Sequence, residues 1–164
     1  NAWKFECCRV ESNWEVDNTL GNRRVIAVVP AYNERDNIVS TIEDLHSNAP
    51  GVDYVIVNDG SKDDTLNICR EHGYSVIDLP VNLGLAGAFQ TGMRYAYEHG
   101  YDYAVQFDAD GQHSAAYIAE MVHVAEEKGA NIVIGSRFAT QKKPVSARMA
   151  GSVLISAMIM LTTR

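Results

Sequence analysis

The sequence predicts an α/β protein in which a mostly parallel central sheet is flanked by helices. Short apolar runs rich in β-branched residues alternate with segments whose apolar residues recur at helical spacing. Two of the predicted helices stop at a glycine, and polar clusters follow most of the predicted strands. Strands that alternate with helices of this length form βαβ units, which require parallel pairing and helices on both faces of the sheet.

The first two strand–helix units occupy residues 24–73. Residues 24–29, RVIAVV, are continuously apolar after the arginine, as expected of a buried strand, and residues 36–48 place Ile and Leu side chains at helical spacing. Residues 54–59, YVIVND, form the second strand. Residues 63–73 are expected to form a helix that ends at a glycine, and Ser61 with Asp64 has the spacing of a capping box.

The second half of the pattern repeats the first. Residues 74–79 form a third strand, and residues 86–100 form a helix that again ends at glycine. Residues 103–108 form the fourth strand and residues 115–129 the fourth helix. Residues 131–136, NIVIGS, are expected to form the fifth strand.

Two flanking regions depart from this alternation. Residues 1–23 have no clear period, so we expect an N-terminal extension followed by one domain at residues 24–164. Residues 149–163 carry no charge, and residues 153–161 are almost wholly apolar. This apolar run is too short to cross a bilayer, which needs about 20 residues. It is either a buried helix or an interfacial one.

Composition excludes several classes of function. The net charge of −7 disfavours a nucleic-acid-binding protein, which normally has a basic face. The cysteines, Cys7, Cys8 and Cys69, are odd in number and form no CxxC pair, which disfavours a zinc site or a disulfide framework and favours a reducing, cytoplasmic location. Nothing in the sequence predicts an oligomeric state.

The polar clusters are expected to meet, because ligands of parallel sheets bind outside the carboxyl ends of the strands. The clusters are PAYNE at residues 30–34, NDGS at 58–61, DADGQ at 108–112 and GSRF at 135–138. No P-loop and no GxGxxG sequence is present, which disfavours the usual phosphate-binding loops, and neither aspartate cluster has the spacing of an EF-hand.

The cluster at residues 108–112 carries the strongest chemical signal. If strand geometry persists, Asp108 and Asp110 point the same way, with Gln112 next in line. Two carboxylates ~4 Å apart repel by about 4 kcal/mol at an effective dielectric constant of about 20. A hard divalent cation, Mg²⁺ or Mn²⁺, would relieve this repulsion and would complete its coordination with water and substrate phosphates.

Several of these segments resemble family 2 glycosyltransferases in order and spacing. They are VVPAYNERDNI, VIVNDGSKDDT, NLGLAGAFQTGMRYA, VQFDADGQH and VIGSRF, between residues 25 and 148. DADGQH and GSRF resemble most the polyprenyl-phosphate sugar transferases, the group that includes dolichol-phosphate mannose synthase. The resemblance implies a GT-A fold and a metal-dependent, inverting transferase that uses a nucleotide-diphospho-sugar, a GDP- or UDP-sugar, as donor.

The resemblance also assigns residues to roles. The nucleotide would be bound by a loop at residues 82–88, which would close over it, and by Pro30, Tyr32, Glu34, Asp59, Gly84 and Asp108. The metal would be held by Asp108, Asp110 and Gln112, the acceptor phosphate would be bound by Arg137, Arg148 and Ser152, and the catalytic residues would be Asp108, Asp110 and Arg137. Arginine suits a phosphate because its planar guanidinium donates two parallel hydrogen bonds.

The acceptor is expected to be a polyprenyl phosphate, which implies peripheral contact with the membrane. A phosphate monoester is already anionic, so it needs no general base, whereas a sugar hydroxyl does. Three alternatives stay open at this point. They are transfer to a saccharide hydroxyl, a binder of nucleotide-sugars that does not catalyse transfer, and a phosphatase-like enzyme with an aspartate nucleophile.

Overall fold

Four parallel strands form the central sheet of the protein. The structure is a computed structural model that describes residues 4–5, 20, 22–111 and 113–136. In chain order the elements are β1 (Lys4–Phe5), β2 (Val25–Ala31), α1 (Ile38–Asn48), β3 (Asp53–Asn58), α2 (Thr65–Glu71), β4 (Val76–Asp78), α3 (Gly84–Glu98), β5 (Tyr103–Gln106), a 3₁₀ turn (Ala115–Tyr117), α4 (Ile118–Lys128) and β6 (Gly135–Ser136).

The sheet has the order β4–β3–β2–β5, and every pair is parallel. Val28 in β2 lies between Val55 in β3 and Gln106 in β5. The chain therefore moves outward from β2 to β4 and then returns past β2 to form β5. The reversal creates a crevice between the carboxyl ends of neighbouring strands, the usual place for a ligand in such sheets.

Strand β2 is the centre of the core, and all seven of its residues are buried. Val25 and Val29 pack in one apolar cluster with residues of α1 and α4, whereas Ile26 and Val28 pack in a second cluster with residues of α3. Burial on both faces explains why the strand has no apolar–polar alternation. The predicted arrangement of a parallel sheet flanked by helices is confirmed.

Helix α3 crosses β2 closely because Gly92 has no side chain. A Cβ atom at Gly92 would collide with Cγ1 of Val28 and would lie 2.9 Å from its Cγ2. This contact sets the distance between the helix and the sheet, and hence the position of the amino end of α3.

The prediction for residues 131–136 was wrong in part. Only Gly135–Ser136 forms a strand, and it pairs antiparallel with Lys4–Phe5 instead of joining the parallel sheet. Ile132 and Ile134 are 78% and 69% exposed. A short β-branched run favours extended backbone, but it does not specify a partner, and these side chains find no place in the core.

The chain divides into two units, Val10–Val133 and a smaller one that combines Asn1–Arg9 with Ile134–Arg164. The larger unit contains the four-stranded sheet and its helices. No helix within the described residues is long and apolar enough to cross a membrane. The apolar stretch at residues 149–163 lies outside the described residues.

Candidate functional site

A cavity of about 460 Å³ lies at the carboxyl ends of β2, β3 and β5. It is lined by Pro30, Ala31, Tyr32, Glu34, Asp59, Asn82, Gly84, Leu85, Ala88, Asp108, Ala109 and Asp110. Seven of these residues, from Pro30 to Asp110, were assigned to the site from the sequence. Asn82, Leu85 and Ala88 belong to residues 82–88, which the sequence predicted as a loop. That prediction was wrong in part, because α3 already begins at Gly84 and Leu85 and Ala88 lie in it. The cavity therefore brings together three of the four polar clusters and the amino end of α3.

The segment after β2 is fixed by the segment after β3. Asn33 has a positive φ of 57°, a conformation that asparagine tolerates better than most residues. Its backbone N–H donates to Oγ of Ser61 at 3.0 Å, and its Oδ1 accepts from the backbone N–H of Lys62 at 2.8 Å. This reciprocal pair fixes the backbone on which Tyr32 and Glu34 are carried.

Two more hydrogen bonds join the same segments. The backbone N–H groups of Glu34 and Arg35 donate to Oγ1 of Thr65 at 2.9 Å and to Oδ2 of Asp63 at 3.3 Å. The predicted capping box between Ser61 and Asp64 was wrong, because helix α2 has no side-chain cap and Ser61 accepts from Asn33 instead.

Asp63 supports this arrangement through its own side chain. Its Oδ1 accepts hydrogen bonds from the hydroxyl of Thr65 at 2.5 Å and from the backbone N–H of Thr65 at 3.1 Å. Partial burial raises the pKa of Asp63, but these bonds and the one from Arg35 outweigh it and hold the pKa below its ordinary value. Asp63 is therefore a carboxylate at neutral pH.

Asp59 forms the part of the cavity wall at the end of β3. Its backbone N–H donates to the carbonyl of Ala31 at 2.8 Å, and the residue is 3% exposed. Its Oδ1 accepts a hydrogen bond from the backbone N–H of Leu83 at 2.6 Å. Asp59 therefore lines the cavity and also holds the loop before α3. The sequence predicted only the first of these two roles.

That loop approaches the end of β3 very closely at Gly60. A Cβ atom at Gly60 would lie 2.8 Å from the backbone N of Asn82 and 2.9 Å from the carbonyl carbon of Val81, and the residue has a φ of +65°. The side chain of Asn82 in turn accepts from the backbone N–H of Gly84 at 3.0 Å. Glycine at position 60 thus allows the loop to pack directly against the segment that carries Asp59.

The acidic segment continues the alternation of a strand beyond the end of β5. Phe107 and Ala109 are buried in the core, whereas Asp108 and Asp110 line the cavity. Asp108 Oδ1 accepts a hydrogen bond from Nε2 of Gln106 at 2.8 Å. The expectation that the two carboxylates share a side agrees with this arrangement, although regular pairing stops at Gln106.

His113 lies against Asp108. The backbone N–H of Asp108 donates to Nδ1 of His113 at 3.3 Å, and the same Nδ1 is 3.8 Å from Oδ2 of Asp108. His113 therefore contacts both the backbone and the carboxylate of Asp108.

The oxygen ligands available here fit Mg²⁺ or Mn²⁺ better than a softer metal. Residues 4–5, 20, 22–111 and 113–136 contain no group of three or more His, Cys, Asp or Glu side chains that could hold a metal ion. Asp108 and Asp110 supply two carboxylates at a cavity open to a ligand. Mg²⁺ is commonly held by only one or two carboxylates, with water and substrate phosphates in its other positions.

Four predicted site residues lie outside the described residues. They are Gln112, Arg137, Arg148 and Ser152.

Comparison with known proteins shows to which family the chain belongs. Residues 26–162 match the sequence model described as Glycosyl transferase family 2. The chain is 33% identical over 141 residues to a UDP-N-acetylglucosamine–dolichyl-phosphate N-acetylglucosaminyltransferase of Methanococcus voltae, which covers 76% of this chain and 56% of the relative. It is 30% identical over 122 residues to polyprenol monophosphomannose synthase of Mycolicibacterium smegmatis, covering 71% and 46%. The chain spans about half the length of the curated relatives it matches.

Solved structures show the same fold. A mannosyltransferase of Pyrobaculum calidifontis, in complex with GDP-Man and Mn²⁺, is 25% identical with a TM-score of 0.57, covering 70% of this chain and 36% of that one. Glucosyl-3-phosphoglycerate synthase of Mycobacterium tuberculosis, in complex with Mn²⁺, UDP and glucosyl-3-phosphoglycerate, is 26% identical with a TM-score of 0.51, covering 62% and 39%.

Proposed function

Since the chain belongs to glycosyl transferase family 2, we propose that it is a metal-dependent, inverting glycosyltransferase that moves a sugar from a nucleotide-diphospho-sugar to a polyprenyl phosphate. The observation that carries the proposal is the cavity itself, because Asp59 and the Asp108–Asp110 pair line the same space. We propose that Asp59 contacts the nucleoside and that the two other acids hold a metal bound to the diphosphate.

Residues at the ends of all three strands would bind the donor. Asp59 accepts a hydrogen bond from the base, since uracil and guanine both carry a ring N–H. Tyr32, which is 43% exposed, offers an aromatic surface to the nucleoside, and Glu34 accepts from ribose hydroxyls. Residues 82–88, which join the end of the loop to the amino end of α3, cover the nucleotide, and Gly84 permits the backbone to approach closely.

Asp108 and Asp110, with Gln112, are the proposed metal ligands. A divalent cation bound there supplies Lewis-acid stabilisation of the negative charge that develops on the departing nucleoside diphosphate. The other residues of the chain contribute by holding these carboxylates in place. Gln106 holds Asp108 through a 2.8 Å hydrogen bond, and buried Ala109 keeps both carboxylates facing the cavity.

The acceptor side rests on Arg137, Arg148 and Ser152, which we propose bind the acceptor phosphate. Its oxygen attacks the anomeric carbon from the face opposite the leaving group, the bond to the nucleoside diphosphate breaks, and the configuration inverts. The acceptor is already anionic, so correct positioning replaces a general base. Relatives named for dolichyl phosphate and polyprenol monophosphomannose favour this acceptor over a saccharide hydroxyl.

We propose the following domain organisation and cellular location for the chain. Residues 24–164 form the transferase domain and residues 1–23 an extension. The uncharged residues 149–163 lie close in sequence to Arg148 and suit contact with a lipid tail. We therefore propose a cytoplasmic protein that contacts the membrane peripherally.

A transfer assay tests the proposal. The full chain is incubated with Mn²⁺, labelled UDP- or GDP-sugars and a polyprenyl phosphate. We expect label in the lipid fraction, and we expect Arg148→Ala to reduce transfer while sparing nucleotide binding. Lys142→Ala is the matched control and should transfer normally. Efficient transfer to a free saccharide hydroxyl alone would move the protein to another branch of the family, and binding without transfer or donor hydrolysis would indicate an inert binder.

A further inference from the structure

Helix α1 contacts the acidic segment on both sides of Asp110, although α1 does not line the cavity. Thr41 and Asp44 stand three residues apart on this helix, so their side chains are neighbours on its surface. Thr41 contacts Ala109, the residue between the two carboxylates, and Asp44 contacts Ala115, at the start of the turn that leads into α4.

The contact made by Asp44 is the stronger one. Its Oδ2 accepts a hydrogen bond from the backbone N–H of Ala115 at 2.8 Å. Ala115 is buried and begins the 3₁₀ turn that continues into α4, and Ser114, at the capping position, makes no side-chain capping bond. Asp44 therefore supplies from another helix the carboxylate that an N-terminus needs, and the helix dipole strengthens the bond.

Asp44 is itself held in place. Its other oxygen, Oδ1, accepts a hydrogen bond from Nδ2 of Asn48 at 2.6 Å, one turn further along α1. Both carboxylate oxygens are thus engaged, one within α1 and one with the segment after Asp110. Because both oxygens are bonded, this side chain holds the backbone of Ala115 in a fixed position relative to α1.

Thr41 makes a second, weaker contact at the other end. Its buried hydroxyl lies 3.0 Å from the carbonyl of Asn37 and 3.3 Å from the carbonyl of Ala109, and its one proton is shared between them. The carbonyl of Ala109 belongs to the peptide group that leads to Asp110. The hydroxyl therefore restrains the orientation of the peptide from which the Asp110 side chain departs.

We propose that Asp44, assisted by Thr41, is a positioning residue that holds the backbone on both sides of Asp110, and so places the Asp110 carboxylate and tunes the affinity of the site for its divalent cation. The inference rests on the proposed function, because it takes Asp108 and Asp110 to be metal ligands. Groups that hydrogen-bond directly to metal ligands commonly alter metal affinity by about 10- to 100-fold, and Asp44 acts through the backbone instead, so we expect the lower end of that range.

The test measures Mn²⁺ binding from the electron paramagnetic resonance signal of free Mn²⁺ in saturating UDP, relative to the same Mn²⁺ and UDP without protein, because UDP itself binds Mn²⁺. Asp44→Ala should weaken Mn²⁺ binding by about 10-fold. Asp44→Asn should bind Mn²⁺ nearly as wild type, since an amide oxygen can accept from Ala115 and Asn48 can turn its own amide to match. Glu43→Ala, an exposed acid on the same helix, is the matched control and should change nothing.

Nucleotide binding in EDTA separates positioning from general damage. Asp44→Ala should bind UDP without metal within about twofold of wild type. Should Asp44→Ala fail to fold, Thr41→Val, which keeps the volume, and Thr41→Ser, which keeps the hydroxyl, form a second pair. The valine variant should bind Mn²⁺ about threefold more weakly than the serine variant. Wild-type Mn²⁺ affinity in Asp44→Ala, or equal losses with and without metal, would overturn this inference alone. A wild-type protein that binds no Mn²⁺ would overturn the proposed function together with it.

Discussion

Replacing Asp59 by asparagine should separate the observed contact of this residue with Leu83 from its proposed contact with the base. In the structure, Oδ1 accepts from the backbone N–H of Leu83 at 2.6 Å. An asparagine amide oxygen can keep that bond, so the loop before α3 should stay in place. The other end of the side chain changes from an acceptor to an NH₂ donor, and it would meet the ring N–H of a base, which is also a donor.

The expected loss follows from the charge on the bond that disappears. A hydrogen bond to a charged group contributes about 1.5–3 kcal/mol, and about 1.4 kcal/mol corresponds to tenfold in affinity. Asp59→Asn should therefore weaken UDP or GDP binding by roughly 10- to 150-fold. Pyrophosphate makes no base contact, so its affinity in Mn²⁺ should stay within about twofold of wild type.

Calorimetric titration of both ligands provides the assay, with thermal melting as the check on folding. Asp59→Ala is the companion variant. It should also weaken nucleoside diphosphates far more than pyrophosphate, but it should melt at a lower temperature as well because Leu83 loses its acceptor. If Asp59→Asn weakened both ligands alike, Asp59 would be a structural residue and its proposed role in base recognition would be wrong.

Further predictions concern stability and pH. Gly92→Ala should lower Tm strongly in a thermal melt, because the added Cβ collides with Val28 where α3 crosses β2. Gly129→Ala is the control, since its Cβ would meet no atom within 4 Å, and its φ of +58° should cost only about 1 kcal/mol of stability. Equal losses in the two variants would argue against the close crossing. Asp63→Asn should lower Tm at neutral pH, because the variant loses the carboxylate bonded to Thr65. The depressed pKa of Asp63 means that this stability is fully present above the ordinary value of 3.8 and is lost as pH falls through the lower folded-state value. The difference in Tm between Asp63→Asn and wild type should therefore shrink in strong acid, and a difference that grows there would contradict the assignment.

The central sheet was predictable because β2 is buried on both faces. A fully apolar run such as residues 25–29 indicates a strand between two layers, and the βαβ alternation then fixes parallel pairing. Membership of the family, the GT-A fold and the parallel sheet are all confirmed. The same reasoning failed for residues 131–136, since Ile132 and Ile134 have strand-forming side chains but are largely exposed.

The cavity was predictable for a different reason. Strand ends of a parallel sheet meet at one edge, so Pro30, Asp59 and Asp108 could be assigned to one site from their positions in the chain. The sequence could not predict which contacts hold that edge together. The bond from Leu83 to Asp59 and the bond from Ala115 to Asp44 join residues 24 and 71 positions apart. No local pattern marks such pairs, because they depend on how the finished helices pack.

The most direct test of the proposed site is calorimetric titration of UDP and GDP into the protein, in EDTA and in Mn²⁺. We expect tight binding of at least one nucleotide in Mn²⁺ and much weaker binding in EDTA, since Asp108 and Asp110 are proposed to hold the cation that bridges to the diphosphate. Asp110→Asn should keep the fold and lose the Mn²⁺ effect. Equal affinity in both conditions, or a full Mn²⁺ effect in Asp110→Asn, would contradict the proposal that these two carboxylates form the metal site.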